Sequence, residues 1–323
     1  MPEKKIIAVV GATGAQGGGL AHAILADPDG PFRLRALTRD PQSASAQKLA
    51  ALGAEVVKAD LDDAPSLRAA FEGAHGAFVV TNYWAPRTEE EEVARSRAEM
   101  EIEQAGAAAA AAKEAGVAHV IWSTFEDTRD FFGTDDSIAP SVEGGYKVPH
   151  FDAKAEANLH FTKLSVPTTF LVTTFYFDSM KLGMFTSRED GKLRVTLPIG
   201  DSRSSGVASE DIGRTALGVF KRGSEFIGKT VGVAGSHLTG EEWASALGTA
   251  LGEEVEYRPA SWEEYRAYPF PGAVEISNMF QFYAQDSERF TAARNLDLVR
   301  ELNPELKSFA AWLEVNKNEI PVG

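Results

Sequence analysis

A chain of 323 residues, 44% hydrophobic and 24% charged, carries enough apolar material for a full α/β core, which excludes a disordered or fibrous protein and a single small module. Its formal net charge of -15 and pI near 4.9 set long-range repulsion against a phosphate backbone, which disfavours direct nucleic-acid binding. The absence of cysteine removes disulfides, thiolate metal sites and thiol redox chemistry together.

Taken in chain order, short β-branched runs alternate with longer helical patterns through the first half, the signature of βαβ units and a parallel sheet. Strands are predicted at Lys5–Val10, Arg33–Leu37, Glu55–Lys58, Ala77–Val80, His119–Ser123 and Thr168–Val172. Helices are predicted between them at Gly17–Leu25, Ser43–Leu52, Pro65–Phe71, Glu90–Ala115 and Phe151–Leu164. Right-handed crossovers then give a doubly wound, Rossmann-type parallel sheet over residues 1–172, with a smaller α/β substrate or partner region, interleaved with it, over 173–323. The alanine run Ala105–Ala112 reads as a helix packed closely on a sheet, because alanine has the highest helix propensity and a small side chain. Glu89–Glu92 reads as a solvated first helical turn in preference to a metal site.

Beyond Val172 the alternation loosens into segments rich in Phe, Tyr and Met, with short strands at Leu193–Leu197 and Thr230–Val233. Thr239 and Glu242 form a capping-box pattern, which predicts a helix running to about Leu251. The segment Arg258–Phe282 is rich in Trp, Tyr, Phe and Pro and fits either an aromatic minicore or part of a cleft or interface. No run approaches the roughly 18 uninterrupted apolar residues of a membrane span. Ile6–Val10 is too short for a signal-peptide core, so a cytoplasmic location is expected.

The strongest chemical signal is the segment GATGAQG, which follows the first strand at once and opens a helix. Gly11 allows the tight turn, Gly14 lets backbone approach a pyrophosphate, and Gly17 or Gly18 lets the helix lie close to the sheet. The intervening Thr13, Ala15 and Gln16 belong to the same cradle, whose first-turn N–H groups and positive dipole end favour an anion. The GxxGxxG spacing points to the short-chain dehydrogenase/reductase type. About 20 residues beyond, where a carboxylate would select NAD, the chain has Thr38 and Arg39; the guanidinium suits a 2′-phosphate, so NADP(H) is expected, although Asp40 follows. Asp60 and Leu61 are placed to meet an adenine. Of the acids Asp60, Asp62 and Asp63, a helix cap at Asp62 explains the spacing better than a metal. Thr81, Asn82 and Tyr83 fall at the carboxyl edge of the sheet, where open α/β folds bind ligands.

With these segments in place the chain resembles the NmrA-like family of atypical short-chain dehydrogenase/reductases, and most its HSCARG-type branch of NADPH-sensing proteins. The resemblance rests on GATGAQGG at Gly11–Gly18, RLRALTRDP at Arg33–Pro41, GAEVVKADLDD at Gly53–Asp63, GAFVVTNYW at Gly76–Trp84 and VPHFDAKAE at Val148–Glu156. It covers the first half well and the remainder in outline. Fold and cofactor therefore transfer better than activity does.

The wider superfamily uses a Tyr-x-x-x-Lys pair, and this chain has none. The resemblance sets His150 and Lys154 in its place, with the lysine kept for the nicotinamide ribose and the histidine available as a proton donor. It also sets Ser123 at the family's usual serine, and Phe175 and Tyr176 at the aromatic pair that borders the nicotinamide. Read without the resemblance, His150 is a helix-entry residue bonded to backbone, Lys154 a surface lysine, and Phe175 and Tyr176 core. The histidines never form His-x-x-x-His, and there is no Gly-x-Ser-x-Gly elbow or Walker A sequence, so zinc, serine-hydrolase and P-loop chemistries lack support. Two functions are expected to compete, the first ahead because the motif matches lie with the NADPH-sensing branch. One is an NADP(H) redox sensor read by a regulatory protein partner or by self-association as a homodimer. The other is an NADPH-dependent oxidoreductase reducing a small carbonyl, imine, quinone or conjugated substrate.

Overall fold

The computed structural model describes residues 3–322. Six of its strands arise from the first half: β1 (Lys5–Val9), β2 (Phe32–Thr38), β3 (Glu55–Lys58), β4 (Gly76–Val79), β5 (His119–Thr124) and β6 (Thr168–Val172). The others are β7 (Phe175–Tyr176), β8 (Thr186–Glu189), β9 (Lys192–Thr196), β10 (Ser204–Val207), β11 (Thr230–Gly232), β12 (Ser236–Leu238) and β13 (Val255–Arg258). Seven of the strands form one parallel sheet in the order β11-β6-β5-β4-β1-β2-β3, with Ile7 of β1 registered on Leu34 of β2 and on Gly76 of β4. The strand order reverses between β1 and β4, and the crevice outside the carboxyl ends of those strands is where such a sheet takes its ligand.

Side chains alternate across the pleat, so β1 feeds two cores at once. Ile7 and Val9 pack with Leu20, Ile24, Phe78, Ile121 and Phe220 on one face, beneath the helices Ala15–Leu25 and Ser209–Arg222. Those two helices approach closely because Gly213 faces Leu20; a Cβ there would lie 2.1 Å from the Leu20 amide nitrogen. Ile6, Ala8 and Val10 turn to the opposite face, against the helices Arg97–Glu114 and Pro149–Lys163. Ala105, Ala108, Ala109 and Ala112 are fully buried there, at i, i+3, i+4 and i+7, which is how the alanine run becomes a helix–sheet interface.

The helix expected over Glu90–Ala115 is in fact two. Glu89–Ala94 ends at an extended Arg95, and Ser96 starts a new helix with its own capping box: its hydroxyl accepts from the Glu99 amide while the Glu99 carboxylate accepts from the Ser96 amide. Ser-x-x-Glu was legible at these positions, but it was masked by helix formers on both sides. The four glutamates of the first piece are solvent-facing. The cap of the helix Ala64–Phe71 is Asp63 and not Asp62, whose carboxylate instead meets Arg95 at 2.9 Å and Gln104 at 2.8 Å.

The chain after Val172 serves both bodies. β11 and the helix Ser209–Arg222 return to the large sheet. Two three-stranded sheets, β12-β10-β7 and β13-β9-β8, lie with the C-terminal helices around a third core containing Phe177, Trp243, Phe280, Tyr283, Phe309 and Trp312. The expected helix after Thr239 is Gly240–Leu251, started by the reciprocal Thr239–Glu242 bonds. Among the described residues no helix is long and apolar enough to cross a membrane.

Candidate functional site

β1 ends at Val9, and the chain turns through Gly11, at φ +65°, into the helix that starts at Ala15. No side chain caps that helix, so its first-turn amides are left to whatever enters the crevice. Gly17 sets the tightness of the bend: a Cβ on it would sit 2.4 Å from the Gly11 carbonyl oxygen, whereas one on Gly18 would find nothing nearer than 3.6 Å. The close approach is therefore made at Gly17. A cavity of about 940 Å³ opens on this turn, and Gly11, Thr13, Gly14, Ala15, Gln16 and Gly17 line it.

The same cavity carries the other residues expected to hold a cofactor. Arg39 lies on its wall, exposed and without a hydrogen bond or ion pair to any described residue. Asp60 and Leu61 follow β3; the Asp60 carboxylate accepts from the Asp62 amide at 3.1 Å, which fixes the loop and leaves the second carboxylate oxygen uncommitted. Thr81, Asn82 and Tyr83 follow β4 at the switch point, and Phe175 and Tyr176 come from β7. An uncapped helix end, a bend that only glycine permits and an unpaired guanidinium at one end of a long crevice fit a dinucleotide carrying an extra phosphate.

His150 and Lys154 stand one helical turn apart on Pro149–Lys163, and both reach this cavity. Neither is a surface residue. Lys154, 6% exposed, places its ammonium 2.6 Å from a Glu101 carboxylate oxygen, 2.5 Å from the Thr81 hydroxyl and 3.1 Å from the Thr81 carbonyl. The Thr81 hydroxyl in turn donates to Glu101 at 2.8 Å, and the Trp122 ring lies beneath the ammonium at 5.3 Å. Glu101 is wholly buried, and its second oxygen has no partner among the described residues. Such an ion pair is costly to break from either side, so the Lys154 ammonium is held in place.

His150 is bonded not to nearby backbone but to Glu275, which comes from the first turn of the distant helix Ala273–Gln285. One carboxylate oxygen of Glu275 accepts from the His150 amide at 2.9 Å and also meets its Nδ1. Tyr83, Trp84, Phe125 and Phe151 frame the imidazole. Ser123 is buried behind the wall: its hydroxyl donates to the Gln16 side-chain oxygen at 2.7 Å, and the Gln16 amide donates to the Tyr176 hydroxyl at 2.6 Å. Burial raises Tyr176 above the ordinary phenol range, and burial together with the Glu275 charge does the same to Tyr83. Both tyrosines are therefore neutral hydrogen-bonding groups.

The sequence did not reveal Glu101, Glu275 or the outer wall made by Trp84, Leu182, Met184, Phe185, Phe270, Met279 and Tyr283. Glu275 and Met279 lie inside the aromatic segment Arg258–Phe282, which turns out to supply both minicore, through Tyr265 and Phe280, and cleft. Glu101 lay in a run of helix-forming acids with nothing to separate it from Glu99 and Glu103.

A parallel sheet reversing at β1 and β4, with a glycine bend and a helix N-terminus at the reversal, defines a Rossmann-type dinucleotide-binding fold. Within that class the chain belongs to the NmrA-like family, whose sequence profile matches residues 3–313. It is 30% identical over 300 residues to the NmrA-like family domain-containing oxidoreductase FrzB of Cladobotryum sp., a match covering 89% of this chain and 86% of that one. Among solved structures it resembles NmrA, a negative transcriptional regulator, in complex with NADP, with a TM-score of 0.75 and 22% identity over 97% of this chain and 95% of NmrA. It also resembles the triphenylmethane reductase of Citrobacter sp. complexed with NADP(H), with a TM-score of 0.69 and 20% identity over 96% and 99% of the two chains.

Proposed function

We propose that this protein is an NADP(H)-dependent oxidoreductase that reduces a small carbonyl, imine, quinone or conjugated acceptor. The observation that carries the reading is the continuity of one cavity, from the glycine bend and Arg39 at one end to His150, Lys154 and an aromatic chamber at the other. Bound there, NADPH would supply a hydride. In this reading the first-turn amides from Ala15 to Gly17 hold the pyrophosphate, Arg39 holds the 2′-phosphate, and Asp60 and Leu61 border the adenine. Thr81, Asn82, Tyr83 and Lys154 hold the ribose nearer the chamber, and Phe175 and Tyr176 border the nicotinamide. The Lys154 ammonium, anchored by Glu101, stabilises negative charge developing on the acceptor. Ser123 acts through Gln16 to fix Tyr176 and does not touch substrate. Relatives named as oxidoreductases, and neighbouring structures that hold NADP or NADP(H), support the reading.

A screen of aldehydes, quinones, imines and enones tests it. The expected result is acceptor-dependent NADPH oxidation; no oxidation above background across all four classes contradicts it. The sensor reading draws on the missing Tyr-x-x-x-Lys pair and on the regulator NmrA among the structural neighbours. It requires one cofactor form to bind one conformation better. It predicts a change in scattering profile or self-association between NADPH, NADP and no ligand, and identical profiles in all three states argue against it.

A further inference from the structure

The chamber beyond the cofactor-binding stretch is apolar and aromatic: Trp84, Phe125, Phe185, Phe270, Met279 and Tyr283 line it. Its two ionisable nitrogen groups are not equivalent. The Lys154 ammonium is already committed to Glu101 and Thr81. His150 lines the cavity with Nδ1 engaged by Glu275, and its other ring nitrogen, Nε2, has no partner among the described residues and is not fully enclosed. Glu275 stands in the first turn of a 13-residue helix, where the dipole favours its negative charge. Because the same carboxylate oxygen also accepts from the His150 backbone amide, ring and main chain are anchored together. A carboxylate on Nδ1 fixes the ring's orientation and leaves Nε2 turned to the cavity as the ring nitrogen that can pass a proton to a bound group.

Building on the oxidoreductase reading, we propose that His150 and Glu275 form a proton-donating dyad for a flat, apolar, aromatic acceptor bearing one carbonyl or imine group, His150 giving up its Nε2 proton and Glu275 acting as the positioning residue. In the reaction the acceptor carbon gains a hydride from NADPH, the C=O or C=N π bond breaks, and the heteroatom takes the proton from Nε2. The acceptor is reduced, NADPH is oxidised to NADP, and the ring is left neutral with Nδ1–H on Glu275. The aromatic walls receive the flat body of the substrate, and Nε2 offers its hydrogen to one acceptor atom.

An acceptor that needs no proton separates this role from a merely structural one. N-methylacridinium takes a hydride at carbon and becomes a neutral product without protonation, whereas 2-naphthaldehyde needs both. With the full-length protein and NADPH, His150→Gln is expected to lower the ratio of neutral-acceptor to acridinium kcat by about 100-fold or more, and Glu275→Gln by about tenfold or more. Both variants should hold NADPH within about threefold of wild type, because neither removes a residue assigned to the cofactor. Glu275→Gln retains an oxygen for both hydrogen bonds and loses only the charge, which keeps the fold testable. A second readout is independent of turnover: in ¹⁵N-histidine spectra at alkaline pH, the resonances lost in His150→Gln should report a ring protonated on Nδ1, and that preference should weaken in Glu275→Gln. An unchanged rate ratio in His150→Gln, or a wild-type ring protonated on Nε2, overturns the dyad while leaving the oxidoreductase reading intact. Binding of NADPH with no reduction of any acceptor by wild type overturns the oxidoreductase reading, and the dyad with it.

Discussion

The two ends of the cavity are built in opposite ways. The end proposed to hold the phosphates is made by consecutive residues: one strand, one glycine bend and one uncapped helix within Lys5–Leu25, completed by Arg39 at the tip of the neighbouring strand. The chamber end is assembled from parts that are remote in sequence; His150 and Glu275 are 125 positions apart and Ser123 and Gln16 are 107 apart. A site built from backbone geometry is fixed by local sequence rules, whereas a site built from side chains meeting across elements is fixed by the whole fold.

That contrast can be tested by substitutions whose effects should separate. The largest effect is expected at the pair joining the two ends. Lys154→Met leaves the Glu101 carboxylate buried and unpaired, and should destabilise the protein by about 3–5 kcal/mol in urea unfolding. Glu101→Gln/Lys154→Met should recover part of that loss, and equal destabilisation of single and double variants would show that the charge is not the cause.

A slightly smaller effect tests the scaffold that both ends share. His119 opens β5, buried, with Nε2 2.8 Å from the Thr169 hydroxyl, and burial first and the neighbouring His75 second hold it down to about 4. An unfolded chain protonates this ring near the ordinary value of about 6.5 while the folded one does not, so its contribution is complete above that value. It is lost as pH falls toward 4, at about 1.4 kcal/mol per unit and about 3 kcal/mol in all. Unfolding midpoints at neutral and mildly acid pH should converge in His119→Gln relative to wild type; an unchanged pH slope contradicts this assignment.

Next is the bend itself. Gly17→Val drives its Cβ into the Gly11 carbonyl and should weaken NADPH binding by about 100-fold, or about 2.7 kcal/mol, in a fluorescence titration. Retained affinity would mean that the bend is not the phosphate cradle. The smallest effect belongs to the chamber: Met279→Ala should raise substrate KM by a few-fold and leave NADPH affinity within about twofold. A parallel loss of cofactor affinity would dissolve the distinction between the two ends.

Legibility in the sequence followed the same division. β3 and β6 were readable to the residue and the first two helices to within about two, because alternation and turn chemistry are local signals. The break at Arg95 was harder, since a capping box inside a strongly helical run competes with the propensity on both sides. The residues expected to hold a cofactor could be named from motif and strand position, and Lys154 and Phe175 from the family resemblance, and they do line one cavity. Glu275 could not be, because an acid in the aromatic segment Arg258–Phe282 acquires a partner only when Gly272 turns the following helix toward His150.

If the glycine bend and Arg39 together select a phosphate-bearing dinucleotide, calorimetric titration of NADPH and NADH into wild type and Arg39→Gln should separate their contributions. Wild type should bind NADPH more tightly, by about tenfold or more, and the variant should lose most of that preference with NADH affinity little changed. Absence of binding of either dinucleotide at millimolar concentration, or a preference for NADPH that survives the substitution, would contradict it.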